Sequence, residues 1–303
     1  MKAALAQAAS IIVIVFAVGS MLSVGLSYDF RTIVRPLRRV RAVFRALVAN
    51  FALVPLLAIA VERVIPLDPP LALGLALLAG AAGAPFLVKL AKTARSDLAL
   101  SAALLLLLVP ATVVFLPFYV PLAMQHPMLR GLTYLPASTM ALAVPLLSTM
   151  ILPVIVGLIV KAVTSRWAAR LAPLVGRLAS VALVLTVVTT FAANFREVVR
   201  IVTTGALPAA LILFFGAFGI GFLLSRRDEA VVLGLATSQR NIAAAMVVAS
   251  RSFADRDILV MVTASSLIGL VVLFPVAWLA SRREPRLGPP MPERLPSGTP
   301  EPA

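Results

Sequence analysis

The chain contains no cysteine and a single histidine in 303 residues. The lack of cysteine excludes disulfides, thiolate metal sites and cysteine nucleophiles. Acidic residues are also few, twelve against 27 lysines and arginines, and all twelve fall in connections, in the C-terminal tail or at the ends of apolar segments. A phosphate-binding loop or glycine-rich nucleotide motif is likewise missing. Because no acid, histidine or cysteine lies inside an apolar segment, we expect neither an enzyme nor an ATP-driven pump, and no catalytic residue or cofactor.

Apolar residues, by contrast, are abundant. They make up 61% of the chain, whose mean hydropathy is +1.04, whereas soluble domains contain roughly 45 to 50%. We therefore interpret the chain as an all-α, polytopic protein of the lipid bilayer. Segments near the ~20-residue length of a spanning helix predict nine transmembrane helices. Their windows are 6–27, 40–61, 69–91, 98–122, 135–160, 171–194, 206–225, 230–250 and 258–280.

Basic residues lie between these segments rather than on one soluble face. Membrane topology therefore explains the net charge of +15 better than a nucleic-acid partner does. One side holds seventeen lysines and arginines and the other seven, which predicts an outside N-terminus and a cytoplasmic C-terminus. A transmembrane transporter domain, 1–283, precedes a proline-rich stretch, 284–303, that we expect to be a disordered cytoplasmic tail. High arginine and alanine with only four lysines indicates a bacterial inner membrane.

Two of the nine segments are interrupted. The third contains Gly80, Gly83 and Pro85, and the eighth contains five consecutive polar residues, 237–241, including Arg240. Backbone groups freed at membrane depth need protein or water partners, so we expect both breaks around an internal cavity, with a simple kink as the alternative. A guanidinium at this depth costs at least ~2.5 kcal/mol on insertion scales. Three roles for Arg240 are open: binding an anionic substrate, bracing the carbonyl groups of a broken helix, or reaching the surface.

Several motifs, distributed over nearly the whole chain, resemble the bile acid:sodium symporter family. They are Gly25-Leu26, Asp29-Phe30, Arg35-Pro36, Asn50 to Pro55, Asp97 to Ser101, Leu152 to Val160 and Gln239 to Ala245. The resemblance implies an inverted-repeat transporter with core and panel subdomains and two broken helices that cross near the substrate. It also implies cotransport of an organic anion with sodium. Some members of that family have nine helices, the number predicted here.

The residues that bind sodium in the family are substituted in this chain. The family motif E-x-G-x-Q-N aligns with residues 236–241, so that Ala236 replaces the acidic ligand and Arg240 replaces the glutamine. Further differences are Ala84 and Pro85 for a Ser-Asn pair, Asn50 for a glutamine and Leu105 for a threonine, while Ser101 is retained. Because sodium requires several oxygen donors, we expect no metal site, although sodium is what the family implies.

The expected activity is secondary transport of a small or amphipathic organic anion by alternating access. The predicted substrate-binding residues are Arg240, Asn241, Gln239, Ser238, Thr237, Asn50, Pro85 and Ser101. Lys89 and Arg177 are expected to extend their charged ends to the membrane interface, with a cytoplasmic vestibule as the alternative for Lys89. Two other functions stay open: a non-transporting receptor or scaffold that kept the fold, and an exporter of inorganic oxyanions. The oligomeric state does not follow from the sequence.

Overall fold

The computed structural model describes residues 2–29, 38–129, 131–135, 138–193 and 204–283. Within these ranges the chain is helical, apart from its connections and an isolated β-bridge between Tyr134 and Phe253. The predicted tail, 284–303, lies outside the described residues, as do Phe30, Arg35 and Pro36 of the family motifs. An all-α architecture is therefore confirmed for the described part of the chain.

The described ranges contain thirteen α-helices, which we number in chain order. They are α1 Lys2–Ser27, α2 Val40–Val48, α3 Val54–Val64, α4 Pro69–Gly80, α5 Leu87–Thr93, α6 Leu98–Ala123, α7 Thr139–Leu146, α8 Leu152–Val163, α9 Ser165–Ala193, α10 Ala206–Leu223, α11 Ala230–Ser238, α12 Ile242–Ser252 and α13 Arg256–Arg283. Two π-helical segments, Ala49–Leu53 and Leu147–Ile151, join α2 to α3 and α7 to α8. Each therefore continues a helix instead of ending it.

Seven helical segments are long and apolar enough to cross a membrane. They are Val40–Val64, Leu98–Ala123, Thr139–Val163, Ser165–Leu185, Ala206–Leu223, Ala230–Ser252 and Arg256–Arg282. All seven coincide with predicted windows, and the other two windows contain the shorter apolar helices Ile11–Ser27 and Pro69–Gly80. A multi-pass helical membrane protein is thus confirmed. The nine-span count and the inverted repeat stay predictions.

Several of the predicted boundaries differ from the structure by a few residues, and two of the differing helix starts have a local explanation. The fifth segment begins at Thr139 rather than at 135, because Ser138 caps it by accepting a hydrogen bond from the Ala141 amide at 3.3 Å. The sixth begins at Ser165 rather than at 171, because the helix extends past the apolar stretch into a turn that contains Arg166 and Arg170. Hydropathy alone therefore misplaced these helix starts.

The helices pack in two groups. In one group α1 lies against α8 and α9, which also contact each other. In the other group α4 packs against α13, and α10 packs against α3 and α11. Between the groups, α12 contacts both α13 and α1. The contact of α1 with α8 is very close: a Cβ added to Gly157 would lie 2.7 Å from the carbonyl oxygen of Leu22.

Both predicted helix interruptions are confirmed. The helix α4 ends at Gly80 and α5 begins at Leu87, while α11 ends at Ser238 and α12 begins at Ile242. Gly83, in the first break, has a φ of +78°, and a Cβ there would lie 2.7 Å from the backbone nitrogen of Val109. A side chain at this position would be strained and would clash with α6. In the second broken span, 94% of the most apolar stretch is buried inside the protein, so this break does not face lipid.

Candidate functional site

The two breaks meet and are joined by Asn241. Its backbone N–H donates to the carbonyl oxygen of Ala81 at 2.8 Å, and its Nδ2 donates to that of Gly83 at 2.9 Å. Its Oδ1 accepts from the Ala244 amide at 3.0 Å and so caps the start of α12. One fully buried side chain therefore satisfies backbone groups in both interrupted helices.

Arg240 lies at the centre of this crossing and is only 1% exposed. Its Nε donates to Leu78 O at 3.0 Å and its Nη2 to Ala79 O at 2.9 Å. Its Nη1 donates to Thr237 O at 2.6 Å and to Asn50 Oδ1 at 2.9 Å. The three carbonyl groups belong to the last turns of α4 and α11, where unpaired carbonyls carry partial negative charge. The guanidinium therefore caps two helix C-termini at once.

This geometry excludes one of the three roles considered for Arg240 and favours another. A surface position is wrong, since the side chain is buried. Four of the five N–H donors of the guanidinium already have protein acceptors, which leaves little capacity for a substrate. Bracing of the broken helices is the role that these contacts favour. The direct binding of an anion by Arg240 stays a prediction.

Asn50 connects the crossing to the second span. It lies in the π-helical segment Ala49–Leu53, a type of distortion that is frequent at functional sites. Its Nδ2 donates to Ala46 O at 2.9 Å and to Thr237 Oγ1 at 3.5 Å, which directs its Oδ1 toward Arg240. Three of the predicted site residues, Asn50, Thr237 and Arg240, are thus in mutual contact, and all are buried.

The other predicted residues have different surroundings. Ser238 donates from its hydroxyl to Phe214 O at 2.7 Å and so attaches α11 to α10. Gln239 is 3% exposed, and its Oε1 has no hydrogen-bond partner. Ser101 donates to Leu98 O at 2.8 Å within the first turn of α6, a contact that does not involve the crossing. Pro85 lies in the first break and lines a cavity.

Thr112 belongs to the crossing but was missed by sequence reasoning. Its hydroxyl accepts from the Ala82 amide and donates to the Ala82 carbonyl, both at 2.9 Å, and the residue is fully buried. It therefore takes the place of the helical hydrogen bonds that Ala82 lacks. The available signal was a threonine in the middle of the apolar helix α6, two residues after Pro110. Such a residue more often bonds to its own helix, so the sequence did not single it out.

A cavity of about 810 Å³ borders the first break. Its walls are formed by α1, by α5 with the residues that precede it, and by α9. The lining includes the cations Lys89 and Arg177, hydroxyls such as those of Ser20 and Tyr28, and apolar side chains such as Phe16, Val24 and Phe86. The Nζ of Lys89 lies 4.8 Å from the centre of the Phe86 ring. Among the described residues that line it, none is acidic, so these walls combine apolar surface with positive charge.

Ion pairs join the ends of three helices. Arg39, which precedes α2, lies 3.4 Å from an oxygen of Asp97 and 3.5 Å from an oxygen of Glu229. Asp97 also caps α6 by accepting from the Leu100 amide at 2.9 Å, and Glu229 directly precedes α11. The starts of α2, α6 and α11 are therefore gathered at one end of the bundle.

The sequence was also compared with known proteins. The sequence model of the Sodium Bile acid symporter family matches residues 11–201, which include Asn50, Pro85, Ser101 and every residue that lines the cavity. The match ends before the second broken helix, so Arg240 lies outside it. No curated protein sequence matches the chain. Because the match covers well over half of the chain, in agreement with the motifs of the early helices, the protein belongs to the sodium bile acid symporter family.

Proposed function

We propose that the protein is a secondary transporter that moves an amphipathic organic anion by alternating access and does so without sodium. Membership of a family of symporters supports the transporter class. The observation that carries the sodium-independent mechanism is the set of four hydrogen bonds from Arg240 to the two helix ends and to Asn50. In this mechanism the guanidinium is a permanent cation at the position where members of the family bind a sodium ion that can leave.

The electrostatics of the crossing support this assignment. In transporters with broken helices, the C-terminal ends of half-helices and unwound carbonyl groups bind cations. Here such carbonyls, those of Leu78, Ala79 and Thr237, already receive a guanidinium. A sodium ion ~4 Å from it would be repelled by about 4 kcal/mol at an effective dielectric constant of 20. The described residues also contain no group of three or more acidic, histidine or cysteine side chains that could hold a metal.

The cavity fits an anion with an apolar body. Its volume of about 810 Å³ falls within the roughly 300 to 1,000 Å³ typical of small-molecule sites. Lys89 and Arg177 would attract the anionic group, the hydroxyls of α1 would accept or donate hydrogen bonds, and Phe16 and Phe86 would contact the apolar body. Pro85 belongs both to the cavity wall and to the first break. Substrate binding could therefore act on the crossing that Arg240 braces.

Counterflow in proteoliposomes tests the proposal. Vesicles loaded with unlabelled cholate would receive external radiolabelled cholate in sodium chloride or in choline chloride, with protein-free vesicles as the blank. We expect accumulation above the blank at equal rates in the two salts. Sodium stimulation of the wild-type protein would contradict the assigned role of Arg240.

A receptor that kept the transporter fold is the principal alternative. Equilibrium binding of labelled cholate to the purified protein, measured beside counterflow, separates the two functions. Binding without any flux would support the receptor, whereas flux supports the carrier. The exporter of inorganic oxyanions is less well supported, because a cavity with aromatic and aliphatic walls is a poor match for a small hydrated anion.

A further inference from the structure

A buried carboxyl group, Glu62, lies at the end of the bundle opposite to the cavity. The cavity end is marked by Lys89 of α5 and by the ion pair of Arg39 with Asp97, which lies four residues after the end of α5. From Val40, the first residue of α2, the helix continues through the π segment to Glu62 in α3. At 1.5 Å per residue, this places Glu62 about 33 Å further along the helix axis.

The carboxyl group is shielded from solvent and incompletely paired. Glu62 is 5% exposed, and its Oε1 has no hydrogen-bond partner. Removal of an ionised carboxylate from water without a counter-charge costs several kcal/mol, whereas a neutral carboxyl group is far cheaper to bury. This position therefore discriminates strongly between the two protonation states, and it does so only while it is closed to water.

Among the residues that the structure describes, none beside Glu62 supplies a compensating cation. The helices α4 and α10, which pack against α3, carry no charged residue within their bounds. From α6, Tyr119 is the titratable residue near Glu62, and its neutral phenol supplies no positive charge. In the chain around Glu62, Arg63 and Asp68 are exposed. Within the described part of the chain, a bound proton is therefore the available means of neutralising this carboxylate in the closed structure.

The same tyrosine connects this region to the crossing. A Cβ added to Gly80, the last residue of α4, would lie 2.6 Å from Cδ1 of Tyr119, so that the ring rests directly on the end of that helix. Ala82, two residues after Gly80, forms two hydrogen bonds with Thr112, which belongs to α6 as Tyr119 does. An opening motion at the Glu62 end would thus change contacts that reach the first break.

We propose that Glu62 is a proton-binding site. The carboxylate takes a proton from water when its end of the bundle is open, keeps it as the neutral acid while that end is closed, and returns it on reopening. Protonation then favours the state in which the cavity opens at the other end. The inference rests on the alternating access of the proposed function, but it requires neither a particular substrate nor the absence of sodium.

Infrared difference spectroscopy of the purified protein tests proton binding without any substrate. At neutral pH we expect a carbonyl stretch of a neutral carboxyl group in the wild type, and its loss in Glu62→Gln. The matched control is Asp68→Asn, which removes an exposed carboxylate at the Glu62 end of the bundle. Because the side chain of Asp68 makes no capping hydrogen bond, this variant should leave the band unchanged. Absence of the band in the wild type, or its persistence in Glu62→Gln, would overturn the proposal.

Cysteine accessibility tests the link to conformation, and the lack of native cysteine makes single reporters possible. Ala58→Cys places a reporter at a fully buried position of α3, and Val64→Cys places one at a position 79% exposed. The labelling rate of Ala58→Cys by a maleimide, divided by that of Val64→Cys, should rise with pH. The rise should be at most about tenfold per pH unit, the limit for the release of one proton. The rise should vanish in Glu62→Gln and persist in Glu62→Asp. A ratio independent of pH in the wild type, or a rise retained in Glu62→Gln, would reject the linkage, whatever the outcome of the cholate experiment.

Discussion

The spans Ala230–Ser252 and Ser165–Leu185 have the two lowest mean hydropathies of the seven candidate spans, yet they occupy opposite environments. In the first, 94% of the most apolar stretch is buried inside the protein, and in the second only 22% is. Each contains an arginine well inside its ends, Arg240 in one and Arg177 in the other. Arg240 is 1% exposed and bonds to helix ends, whereas Arg177 is exposed and lines the cavity. An arginine in an apolar span therefore has one of two roles in this protein. It either braces broken helices in the interior or lines a cavity that solutes can enter.

The sharpest way to test this comparison is to replace both arginines with methionine, which is apolar and similarly long. Arg240→Met should destabilise the protein by at least about 3 kcal/mol, because three carbonyl oxygens and Asn50 Oδ1 lose a charged donor in the interior. Arg177→Met should change stability little. Thermal unfolding in detergent, followed by circular dichroism, measures both.

Arg240→Lys adds an intermediate case to that pair. It keeps the charge but cannot reproduce four bonds in one plane, so its melting temperature should fall between those of the wild type and Arg240→Met. Equal melting temperatures for Arg240→Met and Arg177→Met would remove the distinction between the two spans.

The sequence revealed the broken helices but not the function of their polar residues. Gly80, Gly83, Pro85 and the polar run 237–241 are local signals, and both breaks were predicted from them. The partners of Arg240 are distant in sequence: Asn50 is 190 residues away and Leu78 is 162. Which acceptors a buried donor meets depends on how the helices pack, and a single sequence does not contain that information in local form.

A smaller effect should separate the crossing from an exposed helix end. Thr112→Val preserves the shape of the side chain but leaves the amide and carbonyl of Ala82 without partners. We expect a loss of about 1 to 3 kcal/mol, the cost of a buried unsatisfied group. The control is Thr164→Val, since Thr164 is exposed and its hydroxyl bonds only to Val160 O. Equal melting temperatures for the two variants would show that Thr112 does not support the first break.

Glu62 and Thr112 show the limit of interpreting polarity along the chain. Glu62 falls just after the predicted end of its apolar window, where a solvated carboxylate is the usual expectation, and only the packing of α3 shows that it is buried. Thr112 is the single threonine of a strongly apolar helix. In both cases the informative quantity is burial against another helix, which the helical period of one segment does not fix.

The smallest effect on stability is expected at the cavity, where the effect on transport should be large. Lys89→Gln and Arg177→Gln each remove an exposed charge that has no acidic partner among the lining residues. The melting temperature should therefore remain within about 1 °C, because substitutions of such surface groups change stability by under ~0.5 kcal/mol. The KM for cholate should rise about tenfold in each variant, as expected for loss of a charged contact with an anion. Initial rates of uptake over a range of cholate concentrations measure it, and an unchanged KM in both variants would place the substrate elsewhere than in this cavity.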